Sequence, residues 1–182
     1  MATALHDISF TTMGGSHTTL AAYRGKVLLL VNVASRCGLT PQYSALETLY
    51  RLKKSQGFEV LAFPANDFKE QEPGTNQEIF EFCTTNYGVS FPIFSKISVV
   101  GPNRHPLYAE LTALRPVRTG EGPFMSLLEG YGISPSRPDD ILWNFEKFLI
   151  SRDGAVVERF APDVTADDSR LIVALDRELE RL

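Results

Sequence analysis

From Lys26 to Val33 the chain reads "KVLLLVNV", apolar at nearly every position and preceded by Gly25. A strand with one face in water alternates polar and apolar residues. A run that is apolar on both faces therefore predicts a central strand covered on each side. The next pattern changes period. From Pro41 to about Ser55, Tyr43, Leu46, Leu49, Tyr50 and Leu52 recur at roughly helical spacing, while Glu47, Arg51, Lys53 and Lys54 are free to face water. This predicts an amphipathic helix ended near Gly57. "FEVLAF" then predicts a second buried strand stopped by Pro64, and "TNQEIFEFCTTNYG" a second helix capped by Thr75 and closed by Gly88. Two βα units in a row predict an α/β sheet with parallel strands at its centre.

The flanks add to this core. "ISFTTMGGSHTTL" predicts two short strands turning at Met13-Gly14-Gly15-Ser16, and "KFLISRDGAVVERF" a hairpin turned at Asp153-Gly154. "DDSRLIVALDRELERL" predicts a closing amphipathic helix. Between Gly101 and Asp140 lie six of the eleven prolines and five of the thirteen glycines, so this stretch is expected to be mostly loop, with a short helix near Leu107 to Leu114. The whole order predicts a thioredoxin-like α/β fold with an N-terminal β-hairpin and a Pro/Gly-rich insertion before the last strands. With no repeats and strand material resuming after the insertion, residues 1–182 are expected to form one domain.

Composition narrows the function. The chain is 43% hydrophobic, enough for a real core, and its formal charge of −4 comes with no cluster of Lys or Arg, which argues against nucleic acid or an anionic membrane as a partner. The start "MATALHDISF" lacks a secretory pattern, and the longest apolar stretch, Val27 to Val31, is too short to cross a bilayer. No stable membrane association is expected, and the expected location is the cytoplasm. His6, His17 and His105 are scattered and no Cys-x-x-Cys or His-Glu-x-x-His pattern occurs, so neither a metal nor another cofactor is expected. Two cysteines, Cys37 and Cys83, are too few for the disulfide framework of a small secreted domain, and each needs its own explanation.

Cys37, in "NVASRCGLTPQY", falls where the first buried strand gives way to a helix beginning at Pro41. The free N–H groups and positive dipole end of a helix start favour an anion there, and Gly38 keeps backbone amides accessible beside the sulfur. The setting favours the thiolate, the reactive form. A lone cysteine is otherwise most simply a small buried hydrophobe. A disulfide exchanger would place a second cysteine three residues on, where this chain has Thr40. The local motif can attack but cannot resolve itself, which suits attack on a peroxide to give a sulfenic acid.

"NVASRCG", "FPANDFKEQEPG" and "WNFEKFLI", in that order, resemble the signatures of glutathione peroxidases in their cysteine form. The resemblance runs from the first hairpin to about Phe160. "LTPQY" and "DDILWNFEKFL" make it most similar to bacterial members. It implies a thioredoxin-like fold, reduction of hydrogen peroxide and organic hydroperoxides, and a catalytic tetrad of Cys37, Gln71, Trp143 and Asn144. An indole N–H and two carboxamides are suitable donors for a thiolate and for the oxygen that departs. Taken singly, Trp143 and Asn144 would pass for core packing plus a turn, and Gln71 for a solvated loop residue. Two positions depart from the family's common Phe-Pro-Cys-Asn-Gln-Phe: Ala65 and Asp67 replace its Cys and Gln. Asp67 puts an anion near a site meant for one, and works against the thiolate unless a cation or N–H donors compensate.

By the same resemblance, Cys83 in "EFCTTNYGVSFP" is a resolving cysteine, although its periodicity with Ile79 and Phe82 also fits a helix-face core residue. A disulfide needs Cα atoms within about 7 Å, so a Cys83 that starts inside a helix requires that helix to unwind in part. Thr84, Thr85 and Asn86 are poor helix formers, which makes opening there cheap. An internal disulfide is a natural substrate for thioredoxin. Glutathione, the alternative reductant, needs a basic patch for its carboxylates, and the nearest candidates are Arg104, Arg115 and Arg118. A peroxiredoxin is disfavoured, because its Pro-x-x-x-Thr-x-x-Cys motif meets Leu30 and Ala34 here. A peroxide-sensing thiol switch that oxidises a partner protein remains the alternative to a peroxidase.

Overall fold

A computed structural model describes residues 4–181; the first three residues of "MATALHDISF" and the last of "ELERL" lie outside the described residues. The central strand is β3 (Val27–Val33), and all seven of its residues are buried. It pairs in parallel with β4 (Phe58–Pro64) on one side and antiparallel with β5 (Lys147–Ile150) on the other. An antiparallel hairpin adds β6 (Val156–Phe160), so the strand order is β4-β3-β5-β6. The N-terminal hairpin, β1 (Phe10–Thr11) with β2 (His17–Thr18), turns through Gly15 at φ 90°.

Successive side chains of a strand face opposite ways, and in β3 both ways lead into core. Val27, Leu29, Val31 and Val33 pack on one face with Tyr43, Leu46 and Leu49 of helix α1 (Gln42–Lys53) and with Leu171 and Leu175 of the C-terminal helix, Ser169–Glu180. Leu28 and Leu30 pack on the other, with Leu107, Tyr108 and Leu111 of helix α3 (Pro106–Leu114) and with Phe10 of the hairpin. Each such side chain taken from water stabilises the fold by about 1.5–3 kcal/mol. Helix α2 (Asn76–Tyr87) is bounded as its sequence predicts, by a capping box between Thr75 and Glu78 and by Gly88 in the left-handed region.

The Pro/Gly-rich stretch corrects the expectation of mostly loop. Beyond α3 it carries a second helix, α4 (Glu121–Gly130), so the C-terminal helix is α5. Gly122 and Pro123 disguise α4, but both fall in its first turn, where a proline costs no helical hydrogen bond. Its buried pair, Phe124 and Leu128, is spaced four apart and packs with Leu142 to form a third, small cluster that also touches Leu39 and Trp143. Among the described residues no helix is long and apolar enough to cross a membrane.

Candidate active site

At the end of β3 the chain turns through Ser35 and Arg36 to Cys37, which is 9% exposed. Thr40 staples this turn. Its hydroxyl accepts from the Cys37 N–H at 3.0 Å and donates to the Ala34 carbonyl at 2.8 Å, while its own N–H donates to the Cys37 carbonyl at 3.0 Å. The residue occupying the place of an exchanger's second cysteine thus fixes the first one instead. The Leu39 N–H donates to Cys37 Sγ at 3.3 Å.

Two other segments close on this turn. The Arg36 N–H donates to the Gln71 carbonyl at 2.9 Å, and Asn144 Nδ2 donates to Gln71 Oε1 at 2.9 Å. Gln71 therefore joins the Cys37 turn to the turn before β5. With its side-chain oxygen occupied, the Gln71 NH2 is the end left to donate to a reacting group. Asn32 of β3 grips the Trp143-Asn144 turn from both sides: its Nδ2 donates to the Trp143 carbonyl at 3.1 Å, and its carbonyl accepts from the Phe145 N–H at 2.6 Å. Trp143 packs on Phe68 with ring centroids 5.1 Å apart and touches all three apolar clusters. Among the described residues the non-glycine positions of positive φ are Lys69 (54°), Glu70 (52°) and Phe145 (70°). All three flank Gln71 or Asn144, so the backbone strain sits where side chains must be aimed.

Cys83 is placed differently. It lies within α2, is 0% exposed, and its thiol is pushed up to about 11, chiefly by burial, with the Tyr43 contact opposing and the charge of Glu72 adding. Both cysteines are free thiols that belong to the same apolar cluster.

The basic patch considered for glutathione is mostly taken up. Arg104 pairs with Asp140 at 3.2 Å, while Arg115 stays partly exposed and meets Glu158 only at 3.7 Å. Arg118 is buried and donates to Glu146 at 2.7 Å. Sequence reasoning passed over the network to which Arg118 belongs. The fully buried Glu146 also accepts from Arg159 Nε at 2.7 Å and from the Leu142 N–H at 3.1 Å, while the two guanidinium groups bind carbonyls of residues 115, 116 and 138–140. These bonds tie the segment leading to Trp143 to Glu146, Arg118 and Arg159. Removing one partner of such a buried pair costs about 3–5 kcal/mol. The available signal was Glu146-Lys147 in mid-run of "WNFEKFLI", since two adjacent charges inside an apolar strand require buried partners. Lys147 finds Gln42 Oε1 at 2.7 Å and the Pro162 carbonyl at 3.0 Å, and burial lowers its pKa to about 7.

Asp67 meets the condition set for it. Ser98 Oγ donates to its Oδ1 at 2.7 Å and the Val99 N–H to its Oδ2 at 2.8 Å. It lines, with Phe68, Lys69, Ile133, Leu142 and Trp143, a cavity of about 480 Å³. Ala65 is fully buried in the α3-side core.

Comparison with known proteins places these features in company. The sequence profile of a family described as glutathione peroxidase matches residues 5–112. The chain is 54% identical over 156 residues to a thioredoxin/glutathione peroxidase, BtuE, of Escherichia coli K12, covering 85% of each chain. It is 45% identical over 173 residues to the hydroperoxy fatty acid reductase gpx1 of a Synechocystis species, covering 92% of this chain and 95% of that one. Among solved structures, T. cruzi GPX1 superimposes with a TM-score of 0.71 at 33% identity, over 99% of this chain and 100% of that one. A thiol:disulfide interchange protein of the thioredoxin family from Chlorobium tepidum, at 15% identity, shares the fold with a TM-score of 0.58 over 94% of this chain and 92% of that one.

Proposed function

This chain belongs to the glutathione peroxidase family, a thiol peroxidase of thioredoxin-like fold that reduces peroxides, and we propose that Cys37, Gln71, Trp143, Asn144 and Cys83 carry its cycle, with thioredoxin as the reductant. The Cys37 thiolate attacks the terminal oxygen of the hydroperoxide. The S–O bond forms as the O–O bond breaks, and the alcohol or water leaves with a proton, so that Cys37 becomes a sulfenic acid. Gln71 and Asn144 amides and the Trp143 indole N–H orient the peroxide and stabilise charge on the departing oxygen. Cys83 then attacks Cys37 sulfur, releasing water and closing a disulfide. Two thiols of thioredoxin reopen it through a mixed disulfide. One domain, residues 1–182, suffices for this cycle in the cytoplasm.

The observation that carries the reading is the Asn144–Gln71 hydrogen bond at 2.9 Å, anchored to the residue before Cys37. Thioredoxin is favoured over glutathione because Arg104 and Arg118 are committed to Asp140 and Glu146, which leaves only Arg115, in loose contact with Glu158, to meet a carboxylate. Peroxide turnover with thioredoxin and its reductase, compared with glutathione, tests the assignment. Wild type is expected to run far faster on thioredoxin, and its mass after peroxide alone to fall by two hydrogens. Equal rates on the two reductants, or full thioredoxin-dependent turnover in Cys83→Ser, would return Cys83 to the core. Formation of the disulfide without sustained turnover on either reductant would favour a peroxide sensor.

A further inference from the structure

Glu72 follows Gln71 in the chain yet turns inward. It is 1% exposed, its backbone N–H is pinned to Asn66 Oδ1 at 2.9 Å, and its Oε2 has no hydrogen-bond partner among the described residues. A carboxylate oxygen left so costs about 1–3 kcal/mol or more. Lys96 Nζ donates to backbone carbonyls, of Glu72 at 3.0 Å and Gly74 at 2.6 Å, and reaches the carboxylate only through its charge. Glu72 also lines a cavity of about 170 Å³ bordered by residues that lie near each of the two cysteines in the chain. Ser35 and Arg36 directly precede Cys37, and Ile79 and Phe82 of α2 lead to Cys83. The charge of Glu72 bears on both the Cys83 thiol and the Tyr43 hydroxyl beside it.

We infer that Glu72 is the proton shuttle of the resolving step. As α2 opens, its carboxylate accepts the proton of the Cys83 thiol. The thiolate attacks Cys37 sulfur, the S–S bond forms as the S–OH bond breaks, and the leaving hydroxide takes the proton back from Glu72 as water. No other reactant is needed, since a thiol and a sulfenic acid give a disulfide and water. The step rests on the reading of Cys83 as the resolving cysteine. Burial supports the division of labour: against the opposing pull of Ser35, Lys96 and Arg36 it holds the Glu72 carboxyl above its usual range, which makes it a better base, and it keeps the Cys83 thiol from ionising unaided near neutral pH. α2 can open, because only Ile79 and Cys83 of its twelve residues are fully buried.

The test follows disulfide closure by mass on Cys37 sulfenic acid already formed by one equivalent of peroxide, in wild type, Glu72→Gln and Glu72→Asp. In Glu72→Gln closure slows by about 10²-fold, the usual contribution of a positioned base. Loss of the Glu72 charge by itself eases ionisation of Cys83, so simple electrostatics predicts the opposite sign. Closure in Glu72→Gln then recovers about tenfold per pH unit as bulk hydroxide replaces the base, while wild type stays flat above the Glu72 titration. Arg36, Tyr43, Glu78 and Lys96 also face this cavity or its carboxyl, and they are common to all three proteins. Glu72→Asp, which keeps a carboxylate, closes at least about tenfold faster than Glu72→Gln. Equal closure in wild type and Glu72→Gln, a slowing that pH does not relieve, or equal closure in the two variants overturns the shuttle and leaves Cys83 as the resolving residue. A wild type that closes no disulfide overturns that assignment itself, and the shuttle with it.

Discussion

Cys37 and Cys83 share one apolar cluster but are held in opposite ways. The turn of Cys37 is fixed from three directions: by Thr40 within the turn, by Gln71 through Arg36, and by the Leu39 N–H on the sulfur itself. Cys83 has no such cradle. It sits in a helix anchored by two buried side chains, and its thiol is held protonated by burial. The residue proposed to meet peroxide is preorganised, so little reorganisation remains to be done during reaction. On the proposed cycle, the residue that acts second is stored unreactive until its helix opens. In that proposal, the fixed turn around one sulfur and the sparsely anchored helix around the other separate the two steps in time.

Exchanging serine at each position makes the contrast largest. Cys37→Ser is expected to abolish peroxide consumption, whereas Cys83→Ser should still form one equivalent of sulfenic acid per chain and then stall with thioredoxin. Measuring sulfenic acid with a trapping reagent separates the two, and near-normal turnover in Cys37→Ser would overturn the site assignment. Next in size, Asn144→Ala should slow the peroxide step by about 10²-fold or more, as expected when a preorganised donor is removed. Closure of an already formed sulfenic acid should change far less in that variant. A comparable loss in both steps, seen by stopped flow, would mean that Asn144 holds the fold rather than the reacting oxygen.

The rigid half of this comparison was largely legible in the chain, and the reasons are local. β3 and β4 announce themselves as buried strands because both their faces are covered, and Thr75, Gly57 and Gly88 bound the helices through backbone rules that act over four or five residues. Cys37, Gln71, Trp143 and Asn144 were named from ordered motifs, and the structure joins Gln71 to Asn144 and to the Cys37 turn by backbone and amide hydrogen bonds. What stayed hidden depends on partners distant in sequence. Arg118, Glu146 and Arg159 each look like an ordinary charged residue until the fold brings them together, and Glu72 reads as a loop carboxylate until its burial is known. α4 was missed because the composition of its first turn outweighed the Phe124–Leu128 spacing.

The loose half can be sharpened by stiffening α2. Thr85 is exposed in its last turn, and replacing it with alanine removes the rotamer penalty of a β-branched residue, about 0.5 kcal/mol of helix propensity. If opening precedes closure of the disulfide, Thr85→Ala should slow closure about twofold, because the open form becomes rarer by the same factor. The peroxide step supplies the internal control. Unchanged closure in that variant would mean that α2 opens elsewhere along its length.

The smallest effect is expected at the edge of the rigid half, at Asp67, where the family commonly has glutamine. Its carboxylate is exposed, so solvent and salt screen its charge from Cys37. Both of its oxygens are already bonded, to the Ser98 hydroxyl and the Val99 N–H. A glutamine keeps most of this: its carbonyl can accept from Val99, and its NH2 can donate to Ser98 Oγ once that hydroxyl turns to the Val100 carbonyl, which already lies 3.0 Å away. Removing an anion cannot disfavour the thiolate by repulsion, so the sign is fixed even though the size is small. The second-order rate constant of Asp67→Gln with hydrogen peroxide at neutral pH should therefore equal that of wild type or exceed it by no more than about 1.5-fold. A fall of threefold or more would show that the Asp67 carboxylate positions the loop leading to Gln71, and that the cradle of Cys37 extends as far as Ser98 and Val99.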